Sequence, residues 1–186
     1  RRLLVWRTGG VIVNAGVMGV VGPVRYVLLS DALLGRFSQP SVEAVFAHEA
    51  GHIVHRHIPY MILFTVGLLA LVGAGAQAVL GLFGLGGGTL AELVMLGAGG
   101  AVWLVLCGVV SRRFERQSDV FAAVAAGGGE LSPAGVDIFS RALLDVARYN
   151  GIPAGQWNFR HGSIRQRVDY LTGLLAEGRS GRHVDQ

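Results

Sequence analysis

The sequence predicts a mainly helical fold with a small β-sheet, carrying a two-helix transmembrane hairpin. Three observations predict it. Two uncharged stretches, Ile58–Ala91 and Leu93–Val110, are interrupted only by Glu92. Ser38-Gln39-Pro40 and Ser132-Pro133 are helix-start signals ahead of apolar segments. Two β-branched runs, Val11–Val21 and Val24–Leu29, lie upstream with Gly22-Pro23 between them.

Composition narrows the class. Of 186 residues, 52% are apolar and 15% charged, and the mean hydropathy is +0.50. A charged fraction well below the roughly 25% of soluble domains excludes disorder, a coiled coil and an ordinary cytosolic globule. All basic residues are arginine, and the pI is near 10.0. They sit beside apolar runs rather than in a basic tract with interleaved aromatics, so no nucleic-acid partner is expected. Cys107 is the only cysteine, which rules out an internal disulfide and a cysteine-based zinc site. Arg1-Arg2 precedes an apolar run of four residues, too short for a signal sequence. With no initiating methionine, the chain is expected to be a piece of a longer protein.

The two β-branched runs read as short strands joined by a turn. Ser38 caps a helix running to about His57, with Pro40 tolerated in its first turn. The uncharged stretch from Ile58 would make a helix of about 51 Å, against a hydrocarbon core of roughly 30 Å. It must therefore divide, and Gly84-Leu85-Gly86-Gly87-Gly88 is the natural break. Thr89 and Glu92 form a capping box that starts the second helix of the hairpin. The spans are Pro59–Phe83 and Leu90–Val110. The second continues as a helix through about Cys107–Ala126, until Gly127-Gly128-Gly129 stops it. Helices from Pro133 to about Asn150 and over Ser163–Glu177 complete a single domain, residues 1–186, with the 59–83 and 90–110 hairpin inserted in it. Arg56 precedes the hairpin and Arg112, Arg113 and Arg116 come after it, whereas the glycine turn has no positive residue. The positive-inside rule places both outer ends in the cytoplasm.

His48-Glu49-Ala50-Gly51-His52 is an H-E-x-x-H motif on the Ser38-capped helix. At i and i+4 the two imidazoles share a face and can share a metal ion, while Glu49 can accept a proton from water. Val42, Ala44, Val45, Phe46, Ile53 and Val54 supply buried faces around them. A catalytic zinc site needs three protein ligands and one open position. With cysteine excluded, the third is a carboxylate or another histidine. Glu115 is available in Ser111-Arg112-Arg113-Phe114-Glu115-Arg116-Gln117-Ser118-Asp119, with Asp119 one turn later to orient a ligating imidazole. Two crossings separate His52 from Glu115, so both return to one membrane face. His55 as a fourth ligand would close the site and is left out. Arg56 and His57 are expected at the membrane surface, and His183 receives no role. Asp137, Arg141 and Asp145 describe a solvated helix face.

The segment from Val42 to His52, the two spans and the block from Ser111 to Asp119 resemble the HtpX and CAAX-prenyl-protease type of membrane zinc metallopeptidases. The resemblance extends to His161-Gly162-Ser163-Ile164-Arg165-Gln166-Arg167-Val168 and to the upstream strands, covering about Val11 to Leu175. Ser118 stands where the family usually has alanine, and Gly162 where it has proline. The resemblance implies an α+β zincin-like peptidase domain holding one Zn²⁺ per chain on His48, His52 and Glu115. It implies Glu49 as general base and Asp119 as support for a histidine ligand. His161 would serve as a donor to the oxyanion, and Arg167 would anchor the loop to a carboxylate near the metal. The strand at Val13, Asn14 and Ala15 would bind substrate by strand addition. The expected protein is a membrane zinc endopeptidase of the bacterial inner membrane, its active site cytoplasmic and its role protein quality control. Its partners would be protein or peptide substrates and the lipid bilayer. A scaffold without activity and a CAAX-type processing protease are the alternatives.

Overall fold

The computed structural model describes residues 2–84 and 89–178. Its three strands are β1 (Arg2–Trp6), β2 (Ala15–Met18) and β3 (Tyr26–Ser30). Its six helices are α1 (Asp31–Arg36), α2 (Gln39–Val54), α3 (His57–Leu82), α4 (Thr89–Ala126), α5 (Pro133–Tyr149) and α6 (Ile164–Ala176). The mainly helical fold with a small sheet is as expected, while β1 and α1 were not anticipated.

The sheet order is β1-β3-β2, with β1 parallel and β2 antiparallel to β3. β3 buries Val27 and Leu29 and leaves Tyr26 and Leu28 partly covered, the alternation of a strand with one core face. The expected strand at Val11–Val21 shrinks to four residues. Val13 leaves the sheet because Asn150, on the far side of the chain, takes both its backbone groups. The Val13 N–H donates to Asn150 Oδ1 at 3.3 Å, and Asn150 Nδ2 donates to the Val13 carbonyl at 2.7 Å. Gly22–Val24 forms a single 3-10 turn in place of the loop at Gly22-Pro23.

Ser38 caps α2 by accepting from the Ser41 N–H, with Pro40 in the first turn. α2 ends where Arg56 enters the left-handed region at φ 54, and α3 starts at once. Along α3, Leu63, Val66, Leu69 and Leu71 are more than half exposed, which a core helix of a soluble protein would not tolerate. α3 and α4 are long and apolar enough to cross a membrane. α4 has 38 residues, about 57 Å of helix. Its Leu90–Val110 part is long enough to cross a bilayer, and the remainder of the helix carries Glu115 and Asp119. The turn residues 85–88, the Thr89 side chain with its capping box, and His183 lie outside the described residues.

Two apolar clusters hold the helices. Ala44 and Ala47 of α2, Ala122 and Ala123 of α4, Phe139 and Leu143 of α5 and Leu171 of α6 form the first. Val13, Val27, Leu29, Leu33, Val45 and Ala142 join the sheet to α2 and α5 in the second. Phe46 and Val54 depart from expectation, being 40% and 59% exposed. Val54 lies at the end of α2 nearest the hairpin; nothing in the structure explains the exposure of Phe46. Ser132 and Ser163 cap α5 and α6, and Ser163 with Gln166 closes a capping box.

Candidate metal centre

α2 and α4 cross where Gly51 meets Ser118. A Cβ on Gly51 would stand 3.1 Å from Ser118 Cα, so the glycine inside the H-E-x-x-H motif permits the close approach. Ser118, at the position of the family's alanine, fills the contact without a clash. The crossing brings His48 and His52 opposite Glu115. His48 Nε2 lies 3.3 Å from His52 Nε2 and 3.6 Å from Glu115 Oε2, and His52 Nε2 lies 3.6 Å from Glu115 Oε1. Tetrahedral ligands bound to zinc at about 2.0–2.2 Å lie about 3.3–3.6 Å from one another. The three donors therefore stand at the spacing a shared ion requires, and they form a group that could hold one.

The two imidazoles are oriented by different partners. His48 Nδ1 stands 3.0 Å from Asp119 Oδ1, and a proton on Nδ1 would leave the Nε2 lone pair for a metal. Asp119 is itself gripped by Arg167, whose Nε and Nη2 donate to the two carboxylate oxygens at 2.8 and 2.5 Å. Arg167 Nη2 also stands 3.4 Å from Glu115 Oε2. His52 Nδ1 meets His57 Nδ1 at 2.9 Å, and His57 Nε2 meets Gln117 Oε1 at 3.0 Å. The amide oxygen can only accept, so His57 carries its proton on Nε2 and accepts from His52 at Nδ1. That leaves His52 Nε2 free for the ion.

His57 is thus a correction. It is 3% exposed and stacked on Phe114 at 4.2 Å, rather than facing headgroups. The left-handed residue at Arg56 turns the chain so that His57 folds back onto His52. No periodicity in the sequence points to it or to Gln117. His55 lies outside the group, its Nδ1 against the Gly51 carbonyl at 2.9 Å. Asp137 and Arg141 form an exposed i,i+4 pair, in keeping with a solvated face.

Protein charges tune the site. Burial and the neighbouring His48 lower His52 to about 4, which keeps it neutral and ready to ligate. Burial also opposes charge on His48, but Asp119 outweighs it and raises His48 above the ordinary value. Burial raises Glu115, yet the His161 hydrogen bond and Arg167 outweigh that and hold it at about 2, a carboxylate at neutral pH. Burial, reinforced by Glu115, raises Glu49 against the pull of His48, the direction a general base needs.

His161 arrives from the loop between α5 and α6, with Nδ1 2.9 Å from Glu115 Oε1 and nearly half its side chain exposed. Asn158 builds its turn: Asn158 and Gly162 exchange backbone hydrogen bonds, and Asn158 Oδ1 accepts from the Arg160 and His161 N–H groups. Gly162 has φ 72, which proline cannot adopt, so this turn differs in backbone from one built with the family's proline.

The expected substrate strand needs revision. Val13 is 1% exposed with both backbone groups engaged by Asn150. The Asn14 carbonyl accepts from Ser30 N–H, and Asn14 N–H donates to Ser30 Oγ. Neither residue has backbone left for a guest strand. With Asn14 and Ser30 hydrogen-bonded, the antiparallel alternation turns the Ala15 and Val17 backbone groups to the open edge of β2. The Ala15 N–H is already held by Asn14 Oδ1.

A centre of this kind, its ligand helices continuous with an apolar hairpin, belongs to the class of membrane metallopeptidases. The profile of peptidase family M48 matches residues 8–174, and the chain belongs to that family. Among solved structures it is similar to Ste24p of S. mikatae, with a TM-score of 0.68 and 18% identity over 90% of this chain and 44% of that one. The likeness is one of fold, and the chain spans less than half of that relative's length. No curated protein sequence matches it.

Proposed function

We propose that this chain is a zinc-dependent endopeptidase acting at the cytoplasmic surface of a bacterial inner membrane. The observation that carries the reading is the spacing of His48, His52 and Glu115, that of three ligands sharing one tetrahedral ion, with Glu49 next to His48 in the H-E-x-x-H motif. Zinc held there would supply Lewis-acid polarisation of the scissile carbonyl and a more acidic water. Glu49 takes the proton of the attacking water and returns it to the leaving amine. Asp119 and Arg167 hold His48 in its ligating tautomer. The substrates are protein segments presented at the membrane, as in quality control.

The direct test is metal content together with casein digestion by the full chain in detergent or lipid. The expected result is one zinc per chain, loss of digestion on chelation and recovery with Zn²⁺. A protein that cleaves equally well after its metal is stripped would refute the reading. Hydrolysis confined to prenylated peptides would instead assign a CAAX-type role.

His161 serves the developing oxyanion from the rim, its Nδ1 on Glu115 leaving Nε2 for substrate oxygen. Loss of such a donor costs about 10²–10³ in kcat. His161→Ala is therefore expected to lower kcat by that factor with zinc content and KM little changed; a kcat within about twofold of wild type returns His161 to a structural role. An extended substrate pairs with the open edge of β2 at the Ala15 carbonyl and at Val17. Val17→Pro removes an edge N–H that no β3 partner uses, so KM should rise while thermal stability holds. An unaltered KM in the folded variant removes β2 from the substrate site.

A further inference from the structure

The loop joining α5 to α6 presents apolar side chains away from the core. Ile152 is 45% exposed and Trp157 57%. Four anchors fix the loop: Ile152 N–H donates to Ala147 O, Gln156 N–H to Pro153 O, Arg165 N–H to Ala154 O, and Asn158 and Gly162 close its tip. The exposure therefore belongs to a built projection. Its position against α4 is defined by three contacts. Arg112 donates to the Phe159 carbonyl at 2.8 Å and places its guanidinium 5.7 Å from the centre of the Trp157 ring. The Phe159 ring lies against Gly108, where a Cβ would meet it at 2.7 Å.

Those contacts set the depth. Arg112 is the first cation after the uncharged Leu93–Val110 stretch and marks the headgroup level. Gly108 is four residues back along α4, about 6 Å deeper. Trp157 is thus level with the headgroups, and Phe159 one helical turn toward the hydrocarbon. An aromatic pair, 6.1 Å apart, stands at that depth beside exposed Arg160. Amphipathic rings with neighbouring arginines are the chemistry that an interfacial layer of phospholipid accepts.

We propose that the 151–162 loop docks into the interfacial layer of the bilayer through Trp157 and Phe159, beside the point where α4 leaves it. The partner is the phospholipid surface, continuous with the one the hairpin crosses. His161 lies two residues past Phe159 and rests on Glu115, so the docked loop links that surface to the rim of the metal centre. The inference rests on α3 and α4 spanning the membrane.

The test uses the full chain in phosphatidylcholine–phosphatidylglycerol nanodiscs with acyl chains brominated at shallow or deep positions. The chain has three tryptophans, Trp6, Trp103 and Trp157. W6F/W103F leaves Trp157 as the sole reporter, and W6F/W157F leaves Trp103 within the span. The expected result is loss of Trp157 emission that is greatest with shallow bromines, and loss of Trp103 emission greatest with deep ones. Trp157 emission unaffected by bromine at any depth, with Trp103 quenched, would place the loop in water and overturn the proposal alone. Trp103 emission also unaffected would overturn the spanning of α4, and the proposal with it.

Discussion

Glu49→Gln is expected to lower kcat by about 10²–10⁴ while zinc stays near one per chain, because the base is not a ligand. Glutamine keeps the volume and a hydrogen-bonding oxygen but cannot take a proton. Burial already presses the Glu49 carboxyl upward, so the neutral amide should fit the site without loss of folding. Glu115→Ala provides the contrast. It removes one of three ligand atoms and the carboxylate on which His161 and Arg167 both rest, so metal and activity should go together. Peptide digestion and metal analysis of the two purified variants separate base from ligand. Appreciable turnover by Glu49→Gln would remove Glu49 from the mechanism, and stoichiometric zinc in Glu115→Ala would remove Glu115 from the ligand set.

The parts of the site legible in the sequence are those set by helical period. His48 and His52 share a face of α2, and Glu115 and Asp119 a face of α4. The residue types leave few uses for them other than metal binding. The two long apolar helices were legible because charge is absent over a length sufficient to cross a bilayer. What the sequence concealed depends on contacts without a period. His57 reaches His52 only because Arg56 takes a left-handed conformation, which breaks the phase between α2 and α3. β1 is a short apolar run whose meaning comes from parallel pairing with β3, more than twenty residues later. The strand at Val11–Val21 was overextended because β-branched residues report propensity and not pairing, and Asn150 withdraws Val13 from the ladder.

The same Asn150–Val13 contact joins the sheet to the end of α5, and Arg167 makes the corresponding tie from α6 into the metal centre. The family resemblance implied Arg167 as an anchor to a carboxylate near the metal; the structure pairs it with Asp119, with Glu115 at the edge of reach. The Asp119 side chain is wholly buried and that of Arg167 is 11% exposed. Removing one member of such a pair leaves a charge without a partner in low dielectric, at a cost of about 3–5 kcal/mol. Arg167→Ala is therefore expected to lose about that much stability in lipid or detergent. It should also bind zinc about 10–100-fold more weakly, since Asp119 no longer holds His48 in place. Arg167→Lys should recover only part of either, because an ammonium cannot engage both carboxylate oxygens in parallel.

The pH dependence has a definite sign. Burial acts to raise Asp119, but Arg167 outweighs it and holds the carboxyl well below its ordinary value of 3.8. A depressed carboxyl contributes stability that is complete above its unfolded pKa and is lost as pH falls through the folded one. The gap between wild type and Arg167→Ala should then be full at neutral pH and close on acidification below 3.8. Thermal unfolding in chelating buffer across that range reads this gap without the contribution of zinc. A gap of less than about 1 kcal/mol at neutral pH, the level of an exposed pair, would show that Arg167 does not hold the site together.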